Sequence, residues 1–273
     1  MVGLFCAALI VGPTTSIIFF AAVSFLAFRE FVGLVPPRPD NRAILLWAYA
    51  AIGLQYYWVY IEWYGVFIIF IPVFMFLLLP LRTIIAGTTA GFVGAASTLQ
   101  WGLMTTTFSL SHAAYLLVLQ PGPHPRVMSV WPSVEAAQSP GLGFVVFLIL
   151  LTELNDVAQY LWGKSLGRRR IVPKVSPNKT IAGFLGGVGT TTAVAALLGP
   201  LLTPMDWRYS LAAGALIALS GFVGDLSISM LKRDLGVKDT GATLPGHGGV
   251  LDRVDSLTYS APLYFHYVYY FFI

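Results

Sequence analysis

Residues 225–255 read DLSISMLKRDLGVKDTGATLPGHGGVLDRVD, and they carry an unusual share of the charge in a chain that has little of it. Five aspartates (Asp225, Asp234, Asp239, Asp252, Asp255) and four cations (Lys232, Arg233, Lys238, Arg253) flank a Leu-Pro-Gly-His-Gly-Gly turn at 244–249. The whole chain of 273 residues is 57% hydrophobic and 10% charged, with mean hydropathy +0.76. Ordinary soluble domains carry about 25% charged residues. The contrast between this polar stretch and its surroundings therefore predicts an all-α polytopic integral membrane protein.

Working outward, apolar runs at 209–230 and 257–273 bracket the stretch, and 181–202 and 142–162 precede it. Runs at 2–28, 43–60, 64–81 and 83–103 fill the amino-terminal part, most of them near the ~20 residues that cross a ~30 Å hydrocarbon core. Residues 108–119 read as a partly buried or interfacial segment, so about eight transmembrane helices are expected, with seven to nine open. Pro13 is expected to kink or shorten the first run, and the five prolines within 120–141 make that segment a loop. Gly87, Gly91, Gly94 and Thr98 recur at helical spacing and predict close helix approach, within the protomer or across a homodimer. One membrane domain spans 1–273, with amino-terminal packing and lipid-facing helices over 1–141 and a catalytic half over 142–273.

The net charge of +4 does not point to nucleic acid, because ten of the 16 cations fall in two loops, 163–180 and 231–256. Loops at 29–42, 82, 163–180 and 231–256 together hold 14 cations, which places them all on the cytoplasmic side. The first cation is Arg29, so the first run lacks the basic start of a cleaved signal and is expected to stay as a span. A lone Cys6 allows no internal disulfide. Scattered histidines, without His-Glu-x-x-His or paired cysteines, exclude a zinc motif.

Asp225 lies about five residues before the cytoplasmic end of its run, roughly 7 Å inside at 1.5 Å per residue. Asp156 is placed similarly in 142–162. A carboxylate there costs about 2.5–3.5 kcal/mol on insertion scales, so it faces a cavity with a partner or belongs to a structural ion pair. Asp225, Ser229 and Lys232 share one helical face, and Asp252 and Asp255 share another if the chain after the turn is helical. Hard oxygen donors of this kind suit magnesium, which takes one or two carboxylates and completes its shell with water and substrate phosphates. Lys232, Arg233 and Lys238 offset the repulsion such carboxylates would exert on a triphosphate. Gly248 and Gly249 allow backbone amides to face an anion, and His247 can donate to a phosphate or bridge the loop. Ser176, Lys179 and Thr180 mark a turn into 181–202 whose amides can meet phosphate at a helix start.

The spaced elements Ser229-Met-Leu-Lys232-Arg233, Lys238-Asp239-x-Gly241 and 244–255, LPGHGGVLDRVD, resemble the phosphatidate cytidylyltransferase family, the CDP-diacylglycerol synthases. Gly224-Asp225 and Ser176-Pro177-x-Lys179-Thr180 extend the resemblance over roughly the carboxy-terminal half. It implies magnesium-dependent cytidylyl transfer from CTP to phosphatidic acid. The cation distribution puts the site on the cytoplasmic side, and the compact length without a targeting segment leads to the expectation of a bacterial inner membrane. The catalytic set it suggests is Asp225, Lys232, Lys238, Asp239 and Asp252. Asp225, Asp252 and Asp255 would hold magnesium, with Asp156 as an additional candidate. Ser176, Lys179, Thr180, Ser229, Arg233, His247, Gly248, Gly249 and Arg253 would contact substrate phosphates.

The sequence departs from that family's Ala-Asp-x-x-Ala-Tyr and Trp-Glu-Gly patterns at Asn155, Gln159, Ile181 and Ala182. These departures leave open another lipid acceptor, such as an isoprenoid phosphate or alcohol. A relative that only binds or transports lipid or nucleotide is the non-enzymatic alternative.

Overall fold

The computed structural model describes residues 8, 9, 11–35, 42–85, 87, 89, 91–120, 140–241 and 248–273. Regular structure among them is helical, apart from isolated bridge residues, of which Arg170 and Thr180 form an antiparallel pair. Eight long helices and one short one follow in order. α1 is Pro13–Leu34 and α2 is Arg42–Tyr60. α3 is Tyr64–Ile85, with a π-helical stretch at Phe70–Met75. α4 covers 92–116, with a π-helical turn at Met104–Phe108. α5 is Pro140–Leu166, α6 is Ile181–Leu202 and α7 is Trp207–Asp234. The short α8 is Leu251–Val254, and α9 is Leu257–Phe272. Five of these helices, α1, α3, α5, α6 and α7, are long and apolar enough to cross a membrane.

Several expected boundaries move. Pro13 sits in the first turn of α1, where its missing N–H costs nothing, so it starts that helix. The helix runs on to Leu34, which puts Arg29 and Glu30 inside it and not in a loop. α3 extends past Arg82 to Ile85. The 108–119 segment is not interfacial: Ser109–Leu116 continues α4 and is buried throughout. Gly87 and Gly91 have φ of 67° and 71° and lie in the turn before α4, so they do not share a helical face with Gly94. A methyl group at Gly94 would meet no neighbour within 4 Å. Within the protomer, that glycine set therefore provides no packing face. The proline-rich loop falls almost wholly on 121–139, outside the described residues.

The chain divides into two compact units. The first comprises Met1–Val118 and Asp239–Arg253, so the signature segment groups with the amino-terminal helices. Its interior is aromatic and aliphatic, with Phe28, Phe31, Phe67, Ile71, Leu79 and Leu99 fully buried. Gly102 of α4 lets the rings of Phe31 and Phe28 approach its backbone. Buried polar side chains are tied across helices: Ser24 Oγ and Tyr56 Oη lie 2.7 Å apart, and Gln55 Nε2 donates to Ser111 Oγ at 3.1 Å. Such bonds contribute about 0.6–2 kcal/mol each where no water competes.

The second unit, Leu119–Lys238 with Val254–Ile273, is a bundle of α5, α6, α7 and α9. Its organising feature is a stripe of small residues on α6. Gly183, Gly187, Thr191, Ala195 and Gly199 recur every four residues, and all are buried. Side chains this small let backbones come close, which is how helices associate when lipid removes the usual hydrophobic drive. A methyl group at Gly183 would strike the Gln159 carbonyl of α5, and one at Gly199 would strike Ser210 of α7. A small-residue face of the kind expected on 83–103 is thus found on α6, and it brings α5 and α7 close enough for their charged residues to meet.

Candidate functional site

Within the carboxy-terminal bundle, α7 presents Asp225 and Ser229 one turn apart, and Ser229 Oγ donates to Asp225 Oδ1 at 3.2 Å. The basic loop delivers Lys179, whose Nζ lies 2.6 Å from Asp225 Oδ2, with both side chains about one-fifth exposed. Lys179 also donates to Gln159 Oε1 of α5 at 3.1 Å and lies over the Phe222 ring at 5.6 Å. Charge, carboxamide and ring hold the ammonium group in one place.

Asp156 of α5 accepts from Ser256 Oγ at 3.0 Å through Oδ2, while its Oδ1 is buried with no hydrogen-bond partner. Asp255 Oδ1 accepts from the Ser256 N–H at 2.8 Å. Burial pushes the Asp255 carboxyl well above the ordinary carboxylate range, and the Asp225 and Asp156 charges push it the same way. The Ser256 amide and Lys232 pull it back. Three aspartates thus crowd one region with Lys179 and Lys232 as counter-charges. α7 is helical through Asp225, Ser229 and Lys232, and Asp156 of α5 and Asp255 of the turn before α9 are brought near Asp225.

The departures at Asn155 and Gln159 have structural uses. Asn155 is fully buried, donates to the Ala218 carbonyl of α7 at 3.2 Å and accepts from Thr191 of α6 at 3.4 Å. Gln159 is buried and steers Lys179, and its Nε2 has no hydrogen-bond partner. Replacing Gln159 with alanine is expected to leave the bundle folded and to weaken nucleotide binding about tenfold, because a hydrogen bond to a charged group contributes about 1.5–3 kcal/mol. Separate determination of KM for CTP and kcat checks this; an unchanged KM would refute the steering role.

In the amino-terminal unit, the signature segment folds around Asp252. Asp252 Oδ2 accepts from Thr240 N at 2.8 Å, Thr240 Oγ1 at 2.9 Å and Gly249 N at 3.3 Å. Gly248 has φ of 80°, the left-handed geometry that a tight loop of this kind demands. A residue not anticipated from sequence enters here: Glu30 of α1 accepts from Val250 N and Leu251 N, each at 2.9 Å. The signal that marks it is a carboxylate within the length of an apolar helix, a combination that is functional by default in a membrane.

Other candidates have more structural assignments. Thr180 caps α6, its Oγ1 accepting from Gly183 N at 3.1 Å, so that hydroxyl oxygen serves the helix start. Ser176 forms the turn before it, its N–H donating to the Val172 carbonyl at 2.9 Å and its carbonyl accepting from Lys179 N at 3.3 Å. Arg233 Nε donates to the Val175 carbonyl at 3.1 Å, tying the end of α7 to the basic loop. Lys238, Asp239 and Arg253 are exposed. His247 lies outside the described residues.

The donor set suits a hard cation. Asp156, Asp225 and Asp255 offer only oxygen, and the unpartnered Asp156 Oδ1 is a buried acceptor without a proton donor. Among the described residues no three His, Cys, Asp or Glu side chains already converge on one metal position.

Residues 1–271 match the model of a family described as the cytidylyltransferase family. The uncharacterized protein YnbB of Escherichia coli (strain K12) is 44% identical over 260 residues, covering 95% of this chain and 81% of that protein. A phosphatidate cytidylyltransferase of Staphylococcus aureus (strain COL) is 42% identical over 127 residues, 46% of this chain and 49% of its own length. One from Staphylococcus saprophyticus is 38% identical over 132 residues, with the same coverage.

Proposed function

Because the chain belongs to the cytidylyltransferase family, we propose that it transfers a cytidylyl group from CTP to phosphatidic acid, releasing pyrophosphate and leaving CDP-diacylglycerol in the membrane. The observation that carries this reading is the grouping of Asp225, Asp255 and Asp156 with Lys179 and Lys232 as counter-charges inside the carboxy-terminal bundle. The named activity of the staphylococcal relatives supports the choice of acceptor over the part they share. The reading includes eight membrane crossings in a bacterial inner membrane, with the charged segments facing the cytoplasm by the distribution of cations.

A phosphomonoester oxygen is already an anionic nucleophile, so the chemistry needs alignment and charge neutralisation more than a general base. The lipid phosphate oxygen bonds to the α-phosphorus of CTP as the bond from that phosphorus to the pyrophosphate oxygen breaks. Lys179 and Lys232 attract phosphate oxygens into the carboxylate cluster, and Lys238, Arg233 and Arg253 extend the positive charge. Within the carboxy-terminal bundle Asp225 and Asp255 would hold magnesium, with Asp156 as an additional carboxylate; within the amino-terminal unit Asp252 is a further proposed carboxylate for the reaction, and Asp239 would fix the neighbouring Lys238. When bound, the cation neutralises charge on the triphosphate and on the departing pyrophosphate.

A second reading keeps the same site and takes another lipid phosphate, such as an isoprenoid phosphate, as acceptor; the buried Nε2 of Gln159, with no partner beside Lys179, can donate to the phosphate of either lipid. Purified protein in lipid nanodiscs, supplied with each nucleoside triphosphate and with either lipid phosphate, separates the two by mass spectrometry of the lipid product. CDP-diacylglycerol and pyrophosphate from CTP and phosphatidic acid are expected. A cytidylylated isoprenoid product alone would replace the acceptor, and no pyrophosphate with any lipid would overturn the enzymatic reading.

A further inference from the structure

We propose that Glu30 is a positioning residue for the transfer reaction, a carboxylate on the first helix that sets the location of Asp252 by gripping the backbone of the glycine-rich segment. The inference rests on the proposed function and deepens it.

Glu30 lies in the last stretch of α1 and is only 8% exposed. A buried carboxylate is costly unless its oxygens are hydrogen-bonded. No lysine or arginine pairs with Glu30 among the described residues. Its partners are backbone amides: Val250 N–H on Oε1 and Leu251 N–H on Oε2, each at 2.9 Å, across 220 and 221 residues of chain. The first amides of a helix have no partner within it, and α8 begins at Leu251, so Glu30 caps that turn from another helix. Amide bonds to an anion are among the stronger hydrogen bonds in proteins.

The same short segment holds Asp252. Thr240 is shared, its hydroxyl 2.9 Å from Asp252 Oδ2 and 3.4 Å from Glu30 Oε2. Gly249 N donates to Asp252, and the next two amides donate to Glu30. A change of more than a few tenths of an ångström at Glu30 therefore moves the backbone from which Asp252 is hung. The cradle is also closed to other occupants: a methyl group at Gly249 would collide with Thr240 Oγ1 and Glu30 Oε2, and one at Gly241 would crowd the Glu30 carboxyl at 3.0 Å. One carboxylate of glutamate length fits this space.

The test pairs steady-state kinetics with hydrogen exchange in the full chain in nanodiscs, comparing wild type, Glu30→Gln and Glu30→Asp. In Glu30→Gln one oxygen becomes an NH2 that faces an amide donor, so one of the two amide bonds is lost. Exchange of the peptide covering 248–254 is expected to rise about tenfold or more, matching the loss of a bond to a charged group. kcat should fall about 10²-fold, the scale of a 1 Å misplacement, while KM for CTP changes little. Glu30→Asp keeps the charge but not the reach, and should fall between the two on both readouts. A kcat within a factor of about two of wild type, or unchanged exchange at 248–254, would overturn the proposal. If Glu30→Gln does not fold, Glu30→Asp is read by the same criteria. Wild type inactive on every lipid would count against the proposed function, whereas the exchange result would still decide what Glu30 holds.

Discussion

Substitution of Asp225 by asparagine is expected to lower cytidylyl transfer by about 10³-fold, the upper range for removal of one preorganised electrostatic group. The isosteric amide keeps the bond with Ser229 and loses the charge that meets Lys179 at 2.6 Å. Two functions fail together: a carboxylate proposed to hold magnesium is gone, and Lys179 is no longer held by its anionic partner. Stability should fall less than the ~3–5 kcal/mol of a wholly buried broken pair, because both side chains remain about one-fifth exposed. Replacing the pair together, Lys179→Met with Asp225→Leu, should recover stability without recovering activity, which separates the ion pair's structural part from its chemical part. Transfer rates measured across a magnesium titration decide the matter. A rate within about tenfold of wild type at saturating magnesium would remove Asp225 from the chemistry.

The next largest effect is expected from Gly224→Ala, a change that adds one methyl group beside Asp225. That methyl would collide with the Asp255 carbonyl oxygen and press the Ser256 carbonyl and Thr258 Oγ1 at 3.2 Å. The first two obstacles are backbone and cannot rotate away, so α7 must move from the chain that carries Asp255. Overpacking of this kind costs about 1–3 kcal/mol. Displacing Asp255 from Asp225 should lower kcat about 10²-fold even in the fraction that stays folded. Thermal denaturation in detergent and kcat per folded molecule measure the two parts. Normal kcat in a destabilised protein would confine Gly224 to helix packing.

The two substitutions mark different limits of what can be read from sequence. Asp225 is conspicuous as a charge in an apolar run, because burying it is costly wherever the helix packs. Gly224 is legible only as the neighbour of Asp225 in the family pattern, and the reason for its size appears when Asp255 and Ser256 of the chain entering α9 are placed against it. Gln159 and Lys179 were each visible, yet their hydrogen bond depends on α5 and the loop before α6 meeting in space. The Gly87, Gly91 and Gly94 spacing misled because periodicity presumes a helix. Positive φ at two of the three ends that presumption. The 108–119 segment continues α4 because the polar side chains that interrupt its apolar run, Ser109, Ser111 and His112, each reach a carbonyl about one turn back in the same helix.

By itself the sequence determined the membrane-embedded helical class, the runs that become α2, α6 and α9 nearly to the residue, and the family signature around Asp252. Those are properties of local hydropathy and local spelling, and they survive any rearrangement of the helices. Only the tertiary structure decided which carboxylate meets which donor. Asp225 takes Lys179, Asp156 takes Ser256, and Glu30 takes two amides some 220 residues away. A charge is costly to bury anywhere in an apolar environment, so its presence is legible in the chain; the partner that offsets the cost is chosen by packing between segments far apart in sequence.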